Sequence, residues 1–148
     1  MSEITERIRA DQKTAMKAGE KTRLSTLRLL ASELHNRRIE LGRDLTDDDA
    51  MEILTRALKK RREAEEQYAR AGREDRAALE AAEAAVIEEY LPERLDPAAL
   101  DALVEEAVTA TGAASPKDMG KVMGWLMPRV KGRADGGEVS RKVKERLT

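Results

Sequence analysis

Arg129, Lys131 and Arg133 recur at every second position in a stretch that leads into a helix start at Asp135. Cations in a loop, placed ahead of the free N–H groups of a helix N-terminus, suit phosphate oxygens. Asp135, as the cap of that helix, competes with an anion for the same groups. Lys117, Lys121, Arg141 and Lys142, with Lys144 beyond them, extend the patch if the flanking helices pack together. Gly120 and Gly124 lie four apart on one helix face, where a missing side chain lets another backbone approach. The expectation for both is tight packing inside a small helical subdomain. Gly132 shapes the basic loop, and Lys117, Lys121, Arg129, Lys131, Arg133, Arg141 and Lys142 with the three glycines form the candidate nucleic-acid surface.

Nothing else nominates a reaction. There is no cysteine, hence no disulfide, thiolate metal site or cysteine nucleophile. His35 is the one histidine and lies in a helical stretch without a second histidine or a serine nucleophile motif beside it, which reads as a surface or boundary position. Asp47, Asp48 and Asp49 are consecutive on a helix, about 100° apart, and cannot converge on one ion. Helix capping accounts for them. Lys59-Lys60-Arg61-Arg62 is the densest basic run, and Glu63, Glu65 and Glu66 can pair with it at helical spacing, giving a solvated, salt-bridged helix. Trp125 is expected to be buried as an anchor. No catalytic residue, metal set or cofactor site is assigned.

Helices must position these groups. Ser2 caps a first helix with Ile4, Ile8 and Ala15 inward, ending at Gly19. Leu24, Leu27, Ala31, Leu34 and Leu41 make the stripe of a second, widened by Leu30 and Ile39 and ended by Gly42. Thr46 and Asp49 form a capping box for a third, with Ala50, Ile53, Leu54, Ala57 and Leu58 inward. After Gly72 a fourth runs through Leu79, Val86 and Ile87 to Tyr90. Asp96-Pro97 opens a fifth and Ser115-Pro116, with Asp118, a sixth that stops near Pro128. The seventh carries Val139, Val143 and Leu147. No segment alternates with the period of a strand. The fold class expected is all-α, with a long-helix N-terminal subdomain at residues 1–93 and a three-helix C-terminal subdomain at 94–148.

Composition agrees. Hydrophobic residues make up 41%, yet aromatics are only 2% and phenylalanine is absent, so the core must be aliphatic. No apolar run reaches the roughly 20 residues of a membrane span, and no signal-peptide core is present, so a cytoplasmic protein without membrane contact is expected. The net charge of −1 is uneven: residues 1–45 sum to +3, 46–112 to −9 and 113–148 to +5. A basic final third points to a polyanion or an acidic partner. Trp125, Tyr68 and Tyr90 are scattered and form no stacking platform, which favours a folded RNA read through its backbone.

Lys117-Asp118-Met119-Gly120-Lys121-Val122-Met123 and Leu126 through Gly136 closely resemble the signature of stand-alone proteins of the GatB/YqeY family. Leu24–Leu30, Glu40–Arg43, Lys59–Arg62, Ala71–Arg73 and Glu89–Pro92 fit it too, so the resemblance spans nearly the whole chain. The family is similar to the C-terminal region of GatB, a subunit of the glutamine-dependent amidotransferase that corrects misacylated tRNA. There the helical tail helps to hold tRNA while the chemistry lies elsewhere. GatB tails carry a Lys-Gly-Lys-Ala-Asn-Pro type of run where this chain has Lys131-Gly132-Arg133-Ala134-Asp135-Gly136. The resemblance implies two helical subdomains and a non-catalytic, translation-linked module whose partner is tRNA or an amidotransferase protein. A protein–protein adaptor using the Met-rich helix or the acidic middle segment is the alternative. A carbon–nitrogen ligase with glutamine as amido donor is a third reading, by inheritance of the family label.

Overall fold

Side-chain caps open four of the helices and left-handed glycines end three in the computed structural model, which describes residues 1–148. Seven α-helices are present and no strand, so the chain is all-α. They are α1 (Glu3–Ala18), α2 (Lys21–Leu41), α3 (Asp47–Arg70), α4 (Glu74–Glu88), α5 (Pro97–Thr111), α6 (Met119–Val130) and α7 (Gly136–Leu147). A 3₁₀ turn, Pro116–Asp118, leads into α6. The chain divides into two compact units, Met1–Pro92 and Glu93–Thr148. No helix is long and apolar enough to cross a membrane.

In the first unit, Ser2 Oγ accepts from the Thr5 N–H at 3.1 Å, and Gly19, at φ 70°, supplies the left-handed residue that ends α1. Thr46 and Asp49 form a reciprocal capping box on α3. Asp47 accepts from the Ile4 N–H at 3.2 Å and so joins the starts of α1 and α3. The core is built from Ile8, Leu27, Leu30, Leu34, Leu54 and Ile87, all essentially inaccessible. Tyr90, just past α4, is buried against it and donates its hydroxyl to Asp11, with the Arg7 guanidinium 5.0 Å above its ring. Burial first, then the Asp11 carboxylate, pushes the Tyr90 phenol well above its ordinary pKa.

Two apolar positions fall outside this core. Ile39, expected to widen the stripe of α2, is 64% exposed. It lies five residues past Leu34, about 140° around the helix from that buried side chain. Leu79 is also exposed, because the apolar cluster takes in α4 only from Ala84 onward.

The second unit packs α5, α6 and α7 around Leu100, Val104, Ala107, Val122, Leu126, Val130, Val139 and Val143. Asp96 caps α5 through the Ala99 N–H at 2.7 Å. Helix α6 stops near Pro128 as expected, two residues beyond it at Val130. Proline at 128 forfeits the hydrogen bond to the Gly124 carbonyl, but Val122, Leu126 and Val130, four apart and fully buried, hold the last turn in place. Beyond it, the Leu95 N–H donates to the Arg133 carbonyl at 2.9 Å, and Arg133 Nε donates to the Glu93 carbonyl at 2.9 Å.

Candidate nucleic-acid interface

Helix α6 has an inner face and a bare outer one. With Val122, Leu126 and Val130 turned inward, helical geometry directs Gly120, Lys121, Gly124 and Pro128 away from the core, and all four are exposed. Lys117, one turn earlier, is exposed as well. A methyl group built on Gly120 or Gly124 would meet no atom within 4 Å. The expected tight packing at these glycines is therefore absent, since the small helical core lies on the opposite side of α6. Two glycines and a proline leave a strip of nearly uncovered backbone, edged by Lys117 and Lys121 on one side and by half-buried Met123 and Met127 on the other.

Electrostatics leaves the two lysines available. Lys121 Nζ lies 4.0 Å from an Asp118 oxygen and is 71% exposed, so this pair is loose and solvent-screened. Asp118 itself is held by the backbone N–H groups of Ala114 and Ser115, at 2.9 and 3.3 Å, which lower its pKa below the ordinary carboxylate value. Lys117 makes no ion pair or hydrogen bond.

The remaining candidates are placed differently. The Arg129 guanidinium lies 3.7 Å from the centre of the Trp125 ring and donates to the Trp125 carbonyl. Trp125 is half-buried, roofed by that arginine rather than enclosed. Gly132 is buried at φ 74°, a conformation glycine adopts without strain, and turns the chain between Lys131 and Arg133. Arg133 has one nitrogen committed to Glu93. At α7, Asp135 Oδ2 accepts from the Glu138 N–H at 3.3 Å, so the protein's own carboxylate serves a helix start that would otherwise suit a phosphate. Arg141 pairs with Glu145 at 3.0 Å, and Lys142 with Asp101 of α5 at 2.6 Å. Arg146 pairs with Glu105, likewise on α5. The acidic side chains of α5 thus offset much of the charge that makes the final third basic, and the unit as a whole carries ten basic and nine acidic residues.

The Lys59–Arg62 run belongs to the first unit, on α3. Arg61 Nε reaches Glu83 at 3.0 Å, and Arg62 bridges Glu88 at 2.6 Å and Glu65 at 2.9 Å. Its two arginines thereby fasten α3 to α4. The Trp125–Arg129 stack is a feature beyond the sequence expectations, although the i, i+4 spacing of an aromatic and an arginine on one helix signals it. No group of three or more metal-ligating side chains comes together.

The profile of the family described as Yqey-like protein matches residues 5–147. The chain belongs to the YqeY-like family. It is also 30% identical over 146 residues to a protein of Pyrenophora tritici-repentis (strain Pt-1C-BFP) named "Altered inheritance of mitochondria protein 41, mitochondrial", spanning 96% of this chain and 80% of that relative. In this YqeY-like chain the stretch from Lys117 to Gly136 comprises the end of the 3₁₀ turn, all of α6 and the loop into α7. Both the bare strip and the basic loop therefore lie within one continuous piece of sequence.

Proposed function

We propose that this YqeY-like protein is a non-catalytic tRNA-binding module associated with translation or with tRNA amidotransfer, acting in the cytoplasm. The observation that carries the reading is the outer face of α6, where Lys117 and Lys121 edge two glycines with nothing packed on them. A helix backbone left uncovered beside two cations accepts a sugar-phosphate chain at close range, with the lysines on phosphates and no base edge read. Arg129, Lys131 and Arg133 follow in chain order and extend the contact along the loop, while Lys142 acts mainly by holding α7 to α5 and Arg141 is paired within α7. The resemblance to the GatB tail supports the choice of tRNA among folded RNAs.

The test is binding of total tRNA to the purified chain at several salt concentrations, with duplex DNA as competitor. Affinity that falls steeply with salt and survives the DNA competitor is expected. Absence of binding at low salt would sink the reading. A protein-adaptor role draws on Met123 and Met127, half-buried beside the same strip. One protein captured equally well before and after ribonuclease treatment would favour it.

A further inference from the structure

A cavity of about 60 Å³ opens between α1 and α2, in the first unit. Its floor is apolar: Ile8, Leu34 and Leu45 are buried there, with Ala31 beside them. Its rim is polar, with Arg9 and Gln12 from α1 and His35 and Arg38 from α2. Arg38 is engaged, its Nε 3.0 Å from Asp44 Oδ1, and Asp44 is the sole carboxylate lining the cavity. Arg9, Gln12 and His35 have neither a hydrogen-bond nor an ion-pair partner within the chain.

An unpaired guanidinium, an amide and an imidazole around an apolar floor call for a ligand with both an anionic head and a hydrocarbon body. We infer that this cavity binds a short aliphatic carboxylate. The carboxylate lies between Arg9 and His35 and takes the Gln12 amide N–H, a charge-assisted arrangement suited to a planar two-oxygen head. The hydrocarbon rests on Ile8, Leu34 and Leu45. Inorganic phosphate would leave that floor unused. Size excludes larger ligands: one water takes roughly 10–15 Å³ on this measure, so the cavity admits about four to six atoms, close to butyrate and far from a nucleoside. With so few atoms the dissociation constant should be on the order of 0.1–1 mM.

This site stands apart from the tRNA reading, which rests on residues of the other unit. Its test is two-dimensional amide NMR on the full chain, titrated at constant ionic strength with sodium butyrate, butanamide or sodium phosphate. Butyrate should give saturable shifts centred on Thr5 to Gln12, Ala31 to Arg38 and Leu45, with butanamide and phosphate each weaker by at least about fivefold. Arg9→Gln, at an exposed position that leaves the fold intact, should weaken butyrate by a similar factor. Ala31→Leu fills the cavity without changing its charge and should abolish the response. Butanamide or phosphate binding as tightly as butyrate would overturn the assignment, as would no saturable shift up to about 20 mM butyrate. An acetylated dipeptide ending in a free valine carboxylate should bind no better than butyrate; tighter binding would replace the free acid with a peptide terminus.

Discussion

Two stretches of this chain are rich in cations, and their positive charge is used in opposite ways. On α3, Arg61 and Arg62 reach across to Glu83 and Glu88 of α4, and Arg61 retains only 11% of its side-chain exposure. At the outer face of α6, Lys117 of the preceding 3₁₀ turn has no partner and Lys121 only a loose one, with open glycines beside them. The first set is structural cement and the second is presented outward. Density of charge in the sequence does not separate them; what decides is whether a neighbouring helix brings carboxylates within reach.

The largest effect sharpens the contrast between the two sides of α6. Leu126→Ala removes a fully buried side chain and should cost about 3 kcal/mol, measured by urea denaturation, with amide exchange accelerated first in α5 to α7. Lys121→Ala, on the other side, should change stability by less than about 0.5 kcal/mol. Equal losses from both would mean that the outer face is packed after all.

On α3, Arg61→Ala leaves the partly buried Glu83 unpaired and should destabilise by about 1–2 kcal/mol. Lys60→Ala, beside it but exposed, should be near neutral. A neutral Arg61→Ala in thermal melts would remove the ground for calling that run structural.

Gly120→Ala and Gly124→Ala carry the opposite sign. Nothing opposes a methyl at either position, so each should stabilise the protein by about 0.5–1 kcal/mol through helix propensity, while weakening tRNA binding by obstructing close approach. A higher melting temperature with unchanged tRNA affinity would show that the bare strip is not a contact surface.

The smallest effect concerns pH. Asp49 is held well below the ordinary carboxylate pKa, chiefly by Arg43 at 2.7 Å and then by the Thr46 N–H at 2.9 Å. A carboxylate depressed in the folded state contributes above its unfolded pKa and loses that contribution as protonation sets in. Asp49→Asn should therefore cost at most about 1 kcal/mol near neutral pH, the gap to wild type closing as pH falls below about 4. A gap that stayed constant from pH 6 down to pH 2 would show that Asp49 acts through shape rather than charge.

Much of the fold is legible in short-range signals. Ser2, Thr46 and Asp96 cap helices and Gly19, Gly42 and Gly112 end them, because capping depends on residues within one turn of each other. Longer-range facts are not. The burial of Val130, which carries α6 through Pro128, depends on α5 and α7 packing around it. Ile39 is apolar and at helical spacing, yet no neighbouring helix covers it. The pairing of Lys142 with Asp101 spans 41 positions, so the sequence offers both residues without the link between them. Lys117, Lys121, Gly120 and Gly124 are recognisable as candidates, but whether the glycines face a neighbour or open space is decided by the rotation of α6.

The most direct measurement of the central claim is tRNA affinity against salt for the wild type and for Lys117→Glu combined with Lys121→Glu, after confirming equal stability. The double variant should bind markedly more weakly, and its plot of log affinity against log salt should be shallower by about two, one for each phosphate that a lysine no longer neutralises. An unchanged affinity and slope would contradict the claim that the outer face of α6 holds the RNA.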